Sequence, residues 1–207
     1  MNVSAPVVTN AGPLMILAKL NLLHLLKELY GRIHFTESVY EETVSEGVRQ
    51  GYEDALTLSL FLDQVNWRAD SLDVSQVPVD LREARLDRGE RDTLALAQVL
   101  GSRLVLMDEL LGREAARARG FAVRGSLGIL VEAYRRNLMN ADQLRLNVAE
   151  MARRRDSGSA RTWPSGFWER PWGSDVEALT GVVLCGGGGP LGQRMSKVAN
   201  TAVQSFA

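Results

Sequence analysis

The chain has 207 residues, a formal charge of −1, 45% apolar and 24% charged residues, and one cysteine. This composition excludes wholesale disorder, an intrachain disulfide and a closed zinc site of Cys and His ligands. No apolar run reaches the roughly 18 residues that a membrane span needs, and the N-terminus lacks the pattern of a secretory signal. We therefore expect a globular cytoplasmic protein with no membrane partner.

The near-neutral total hides an uneven distribution of charge. Residues 1–109 carry ten basic and seventeen acidic side chains, whereas residues 110–161 carry eleven arginines and five acids. Arginine forms bidentate contacts with phosphate, so the second region suits a nucleic acid. A solvated helix face and a surface for an acidic partner protein are the alternative interpretations.

Short apolar runs alternate with helical patterns along the first three quarters of the chain. The runs predict buried strands at residues 7–10, 33–35, 104–107 and 121–123, with a further short strand at 65–67. Helices are predicted from about Pro13 to Leu29, from Thr36 or Ser38 onward, and over 53–62, 87–100, 111–119, 125–136 and 140–154.

This alternation predicts an α/β fold, a three-layer α/β/α arrangement with a central parallel sheet. We expect the domain to cover residues 1–154. Residues 155–207 carry three of the four tryptophans and a four-glycine run, and they are expected to form an irregular tail of low order. Gly187–Gly192 matches a dinucleotide-binding pattern, but too little chain follows it to complete such a site.

Polar side chains follow two of the predicted strands. Asn10 ends the first and Asp108 the third, while Glu90 and Asp92 begin the helix that leads into the third strand. Glu42 lies on the helix after the second. Sites in open parallel sheets lie at the carboxyl ends of strands, so these oxygens are expected to gather around Mg²⁺ or Mn²⁺. Each acid also has an ordinary explanation as a helix cap, a first-turn charge or surface charge.

Several segments within about residues 5–140 form a recognisable set when taken together: Val7–Leu14, Phe35–Glu42, Leu86–Ala97, Leu106–Glu109, Gly112-Arg113 with Ala116, and Val123–Leu130. In order and spacing they resemble the PIN-domain family, in a branch related to VapC-like toxin ribonucleases. The resemblance implies a PIN-like fold and a metal-dependent endoribonuclease, often the toxin of a toxin–antitoxin pair. It also implies RNA, a cognate antitoxin protein and a possible homodimer as partners.

Carried onto this chain, the family's acidic positions fall at Asn10, Glu42, Asp92 and Asp108, with Glu90 as a close alternative to Asp92. Asn10 is a departure, because an amide oxygen can bind a metal ion but brings no charge. We expect Asn10, Asp92 and Asp108 to hold the ion, and Glu42 or Glu90 to orient or deprotonate the attacking water.

Four residues are expected to contact RNA. Arg113, Arg117 and Arg124 can line its path, and Ser126 can contact a phosphate, although an ordinary helix cap is the alternative for that serine. Two other functions compete with the nuclease. One is a catalytically weak or inactive PIN-like nucleic-acid-binding module; the other is a receiver-like signalling domain, which would need a lysine at a strand end that the sequence does not supply.

Overall fold

The computed structural model describes residues 5–156 and centres on a four-stranded parallel sheet. The strands are β1 (Val7–Thr9), β2 (Ile33–His34), β3 (Leu104–Leu106) and β4 (Ala122–Arg124), in the spatial order β2-β1-β3-β4. Val7 pairs with both Ile33 and Leu104, so β1 lies inside the sheet. The expected three-layer α/β/α class with a central parallel sheet is confirmed.

The helices fill the connections between the strands and follow β4. Their bounds are α1 Ala11–Lys19, α2 His24–Tyr30, α3 Glu37–Tyr40, a π-helical segment Glu41–Ser45, α4 Glu46–Arg49, α5 Glu53–Gln64, a short 3₁₀ helix Val74–Gln76, α6 Val79–Glu83, α7 Arg88–Val99, α8 Leu110–Ala118, α9 Ser126–Arg135 and α10 Ala141–Asp156. Buried side chains from β1, β3, α6, α7 and α8 form an apolar cluster against the sheet.

The strand order reverses between β1 and β3. From β1 the chain first moves outward to β2, then returns past β1 to place β3 on its other side, and continues outward to β4. Connections on the two sides of such a reversal leave in opposite directions, which opens a crevice at the carboxyl ends of the two central strands. Asn10 and Asp108 follow those two strands.

Two predicted elements are wrong. The helix expected to run through Leu29 ends at Lys19, because Asn21 adopts a left-handed backbone with φ of 57° before α2 begins. The strand expected at residues 65–67 is a turn, in which Asn66 has φ of 55° and the amide of Trp67 donates to the carbonyl of Leu62. Asparagine tolerates this conformation better than most residues. The two asparagines could have indicated these turns, but the apolar residues around them favoured a helix and a strand in the prediction.

The helix after β2 contains a π-helical segment at the position of Glu42. The Thr43 hydroxyl donates to the carbonyl of Val39 at 2.7 Å, the acceptor that an α-helix would assign to the Thr43 amide. A π-turn widens the helix and changes the direction of the side chains it carries, and such turns are common at functional sites. The segment therefore sets the direction in which Glu42 leaves the helix.

The chain divides into two compact units, Met1–Ile129 and Leu130–Ala207. The first holds the whole sheet and α1 to α8, and the described part of the second holds most of α9 and all of α10. The expected domain limit at residue 154 stays a prediction, and the expected tail at 155–207 lies outside the described residues except at its first two positions. Within residues 5–156, no helix has the length and apolarity required to cross a membrane.

Candidate active site

The strand ends that carry Asn10 and Asp108 are neighbours in the sheet. Thr9 pairs with Leu106, and the amide of Asn10 donates to the carbonyl of Leu106 at 2.9 Å. Asn10 is 3% exposed and Asp108 2% exposed. Both polar side chains are therefore buried at the crevice. Burial of a polar group costs free energy unless hydrogen bonds or a bound ion replace its lost hydration.

Asp108 is held by the start of α9. The Ser126 amide donates to Asp108 Oδ1 at 2.8 Å, and its hydroxyl donates to Oδ2 at 2.6 Å. Burial raises the pKa of Asp108, and the two Ser126 hydrogen bonds and the charge of Arg113 oppose that rise. The carboxylate therefore has a fixed orientation, because both of its oxygens accept hydrogen bonds.

The Asn10 side chain has one partnered end and one unpartnered end. Its Nδ2 donates to Glu109 Oε2 at 3.4 Å. Its Oδ1 is buried and accepts no hydrogen bond from any residue that the structure describes. A buried acceptor without a partner costs free energy, so Oδ1 is suited to bind a ligand or ion that enters the crevice.

Three oxygens surround Gly89, near the start of α7. A Cβ atom at this position would lie 3.1 Å from Glu42 Oε2, 3.4 Å from Asn10 Oδ1 and 3.5 Å from Asp87 Oδ1. Each oxygen comes from a different element, and the absence of a side chain at Gly89 leaves no Cβ atom between them. We refer to the space above Gly89 that these oxygens of Glu42, Asn10 and Asp87 border as the cradle.

Glu90 joins the starts of two helices. Its amide donates to Asp87 Oδ1 at 2.7 Å and its Oε2 accepts from the Asp87 amide at 3.0 Å, a reciprocal capping box for α7. Its carboxylate also accepts a hydrogen bond from the amide of Gly112 in the first turn of α8. Glu90 is 5% exposed, so these amides supply the partners that a buried carboxylate needs.

Burial and mutual repulsion raise the pKa values of three glutamates at the site. The pKa of Glu42 is raised to about 7 by partial loss of hydration and by the charges of Asp87 and Glu90. Burial, then Asp87, raises the pKa of Glu90 to about 7. The pKa of Glu109 is raised to about 9, first by burial and then by Asp108. Burial is the largest cause for all three glutamates, and the neighbouring carboxylates add to it, so a bound cation would favour their ionised forms.

The donor chemistry fits a hard divalent cation. The amide and carboxylate oxygens are the ligand types that Mg²⁺ and Mn²⁺ prefer, and the unpartnered Asn10 Oδ1 faces the same cradle as Glu42 Oε2. Within residues 5–156, however, no three acidic, His or Cys side chains lie close enough together to form a ligand set by themselves. A cation here would therefore depend on the neutral amide of Asn10 as well as on carboxylates.

Of the carboxylates predicted from the sequence, Glu42 and Glu90 lie together at this crevice, Asp108 follows the neighbouring strand, and Asp92 is paired with Arg88. Asn10, Glu42 and Glu90 are linked by the contacts around Gly89 and by the charge interactions described above, and Asp108 lies beside Glu109. The Asp92 carboxylate instead pairs with Arg88 Nε at 3.7 Å. Glu90, the alternative for the third acidic position, is the residue that the structure places in the crevice.

The four predicted RNA contacts have different surroundings. Ser126 is fully buried and donates to Asp108, so it acts as a support for that carboxylate and offers no surface to a phosphate. Arg113 is partly buried, and its charge acts on Asp108. Arg124 donates to the Tyr30 hydroxyl at 3.1 Å. Arg117 is exposed on α8. Contact of these residues with RNA stays a prediction.

Asp87, Gly89 and Glu109 belong to the site, although the motifs did not single them out. Asp87 occupies the N-cap position of α7, and this structural role accounts for it in the sequence. Its charge also acts on Glu42, a contact that the sequence does not reveal. Glu109 directly follows Asp108, and its contact with Asn10 depends on the strand register. The sequence feature that could have identified Glu109 as a site residue is its position directly after Asp108 at the end of a strand.

A comparison with protein families gives one result that covers most of the chain. The family model DUF3368, described as a PIN domain, matches residues 6–157. No curated protein and no solved structure gives a significant match. The chain therefore belongs to the PIN-domain family, whose members are typically nucleases that bind nucleic acids and generally use divalent metal ions.

Proposed function

We propose that the chain is an endoribonuclease that requires Mg²⁺ or Mn²⁺. The observation that supports this most strongly is the meeting of Asn10 and Asp108 at the reversal of strand order, with Glu42 and Glu90 beside them. Ligands of open parallel sheets bind at this place. Negative charge in the crevice opposes the approach of the scissile phosphate, and a divalent cation would balance that charge. We therefore expect cleavage to require the metal, whereas RNA can bind to residues outside the crevice without it.

In this proposal the cation is held by Asn10 Oδ1 and by the carboxylates of Asp108 and Glu90, and Glu42 lies beside its coordinated water. When bound, a divalent cation makes a coordinated water more acidic and stabilises negative charge on the phosphate. Asp87 and Glu109 lie next to these ligands and add to the negative potential that attracts the ion.

Two glutamates have different roles in the proposed reaction. Glu42 extends from the π-helical segment at the open side of the crevice, so its carboxylate can reach the attacking water and accept its proton. Glu90 is tied to the amides of Asp87 and Gly112, so it holds its position. We therefore assign the general base to Glu42 and a metal-ligand role to Glu90.

We further propose that the ribonuclease is the toxin of a toxin–antitoxin pair and acts in the cytoplasm. The family resemblance supports this, and so does an acidic crevice into which a small antitoxin protein could insert an arginine. A homodimer follows from the same resemblance.

Two experiments test these proposals. Growth arrest on expression in a bacterial host, reversed by co-expression of a short neighbouring reading frame, tests the toxin role, and light scattering tests the dimer. Normal growth at full expression of an active nuclease would remove the toxin role alone.

Two observations favour a weak or inactive nucleic-acid-binding module as the second candidate. Asn10 supplies no charge, and both Asp108 oxygens already accept hydrogen bonds from Ser126. In that case the protein binds RNA but has little affinity for Mg²⁺.

Cleavage of a labelled single-stranded RNA separates the two functions. We expect wild-type protein to cleave with Mg²⁺ or Mn²⁺ and not with EDTA, and Asp108→Asn to lose at least a hundredfold in rate. Equal rates in wild type and Asp108→Asn would place the activity elsewhere. RNA binding without metal-dependent cleavage would favour the inactive module.

A further inference from the structure

Arginines occur at every third position where α6 leads into α7: Arg82, Arg85, Arg88 and Arg91. Arg82 is used within the fold, since Nε donates to the carbonyl of Val77 at 2.8 Å and an Nη donates to that of Val74 at 2.9 Å. Arg85 and Arg88 are exposed. We refer to residues 84–88 as the α6–α7 junction.

Arg88 borders the candidate active site through its chain neighbours. It stands between Asp87, which caps α7 and faces Glu42, and Gly89, which forms the cradle. Arg85 lies two residues before Asp87, so their Cα atoms are no more than about 7 Å apart. Both arginines therefore belong to the chain segment that leads directly into the acidic crevice.

The ion pairs of Arg88 are long and exposed. Its Nη1 lies 3.5 Å from Glu41 Oε2 and its Nε lies 3.7 Å from Asp92 Oδ2, while the side chain remains 68% exposed. Exposed pairs of this kind contribute little to stability. A phosphate, which offers oxygens in the geometry that a guanidinium prefers, can therefore share Arg88 with these two carboxylates at small cost.

Two of the arginines expected to line an RNA path are already engaged inside the fold. Arg113 is partly buried with its charge acting on Asp108, and Arg124 donates to Tyr30. Arg117 on α8 is the exposed member of that set. The two sets of arginines define two different approaches to the crevice.

We propose that the RNA backbone approaches the crevice across the α6–α7 junction, with Arg88 and Arg85 contacting its phosphates and Glu41 and Asp92 orienting Arg88. The inference rests on the proposed function, because it takes RNA as the ligand. It assigns Asp92 the role of positioning an RNA-binding arginine.

Binding of a fluorescein-labelled 12-nucleotide oligouridylate, followed by anisotropy in EDTA from 50 to 200 mM KCl, tests the proposal. Metal-free conditions separate binding from cleavage. Each phosphate contact on a single strand contributes about 0.7 to the slope of log affinity against log salt. We expect Arg88→Met and Arg85→Met each to weaken binding several-fold and to lower the slope by about 0.7, and their combination to lower it by about 1.4.

Two matched variants make the outcome specific. Arg49→Met removes a cation that is about as exposed as Arg88 and is likewise paired with an acid, Glu46. Arg49 lies about two helical turns beyond Glu42, so its loss is expected to change neither the RNA affinity nor the salt slope appreciably. Arg117→Met tests the competing path on α8. The proposal is overturned if wild type does not bind, if Arg49→Met weakens binding as much as Arg88→Met, or if only Arg117→Met has an effect.

Metal binding provides the second readout. Arg88→Met should retain the wild-type Mn²⁺ affinity in a calorimetric titration and the wild-type thermal midpoint, because the side chain lies outside the ligand set. Loss of Mn²⁺ binding or of folding in Arg88→Met would mean that Arg88 supports the site instead, and would contradict the inference. Failure of RNA cleavage by wild type, with the anisotropy pattern intact, would overturn the proposed nuclease and leave this inference standing.

Discussion

Ser126 donates two hydrogen bonds to Asp108, one to each carboxylate oxygen. The amide–Oδ1 distance is 2.8 Å and the hydroxyl–Oδ2 distance is 2.6 Å, in a place with no access to solvent. The start of α9 thus fixes the carboxylate that follows β3.

Removing the Ser126 hydroxyl should therefore weaken both the fold and the metal site. A hydrogen bond to a buried charged group contributes about 1.5–3 kcal/mol, so Ser126→Ala should lose about that much unfolding free energy in a urea titration. We also expect lower Mn²⁺ affinity. Ser38→Ala is the matched control: this buried hydroxyl pairs with that of Thr36 at 2.9 Å, and its loss should cost less and leave Mn²⁺ binding unchanged. Identical effects of the two substitutions on Mn²⁺ binding would argue against the role given to Ser126.

Gly89→Ala should separate metal binding from stability. The added methyl group would lie 3.1 Å from Glu42 Oε2 and 3.4 Å from Asn10 Oδ1, and Glu42 is exposed enough to move aside. Alanine is also the better helix former. We expect an unfolding free energy no lower than that of wild type, together with at least a tenfold loss of Mn²⁺ affinity by calorimetry.

Gly112→Ala provides the contrast. Its methyl group would overlap the sulfur of the buried Met107 and approach Glu90 Oε1 to 2.7 Å, so the fold itself must shift. Overpacking of this kind typically costs about 1–3 kcal/mol. If Gly89→Ala also proved strongly destabilising, or bound Mn²⁺ as wild type does, the cradle would not be a metal site.

Glu90→Gln and Asp92→Asn test which of the two residues fills the third acidic position of the family and binds the metal ion. Glu90 lies in the crevice among Asp87, Glu42 and Gly112, whereas Asp92 pairs with Arg88. We expect Mn²⁺ affinity to fall at least tenfold in Glu90→Gln and to stay within about twofold of wild type in Asp92→Asn. The reverse order would restore Asp92 as the ligand.

Stability should fall as pH rises when no divalent cation is present. The pKa values of Glu42 and Glu90 rise from 4.5 to about 7, and that of Glu109 rises to about 9. The folded state thus binds more protons than the unfolded state between about pH 4.5 and 9. These three groups therefore destabilise the fold progressively across that window, and their contribution is most favourable at its acidic end.

Urea titrations at pH 5.5 and 8.0, with EDTA or with 5 mM Mg²⁺, measure this effect. Glu109→Gln should gain stability relative to wild type at pH 8.0 more than at pH 5.5, since at pH 8.0 the ionised Glu109 of the unfolded chain must take up a proton on folding and glutamine avoids that cost. Added Mg²⁺ should stabilise wild type more at pH 8.0 than at 5.5 because it binds the ionised form. A Glu109→Gln effect independent of pH would contradict the electrostatic description.

The parallel sheet could be predicted from sequence because its strands are short, continuous apolar runs between helical patterns. Asn10 and Asp108 could be placed together because each follows such a run, and strand ends share one edge of the sheet. Predictions failed where a single residue overrides its neighbours: Asn21 and Asn66, with positive φ, interrupt stretches whose leucines and valines favour regular structure.

The details of the site depended on contacts that sequence spacing does not encode. On a regular helix Glu90 and Asp92 are two residues apart and point in different directions, so only one can face the crevice. The structure selects Glu90 because it also completes the capping box with Asp87. The π-helical segment that carries Glu42 and the contact of Glu109 with Asn10 were likewise not predictable, because both depend on packing between distant parts of the chain.

We propose that Asn10, Glu90 and Asp108 bind one divalent cation at the carboxyl ends of β1 and β3, with Glu42 beside it. Anomalous diffraction from crystals soaked in Mn²⁺ locates such an ion directly. We expect an anomalous peak in contact with Asn10 Oδ1 and with the carboxylates of Glu90 and Asp108, and no peak there in Asp108→Asn crystals. A wild-type crystal at saturating Mn²⁺ with no peak at this crevice, or with its peak at another surface, would contradict it.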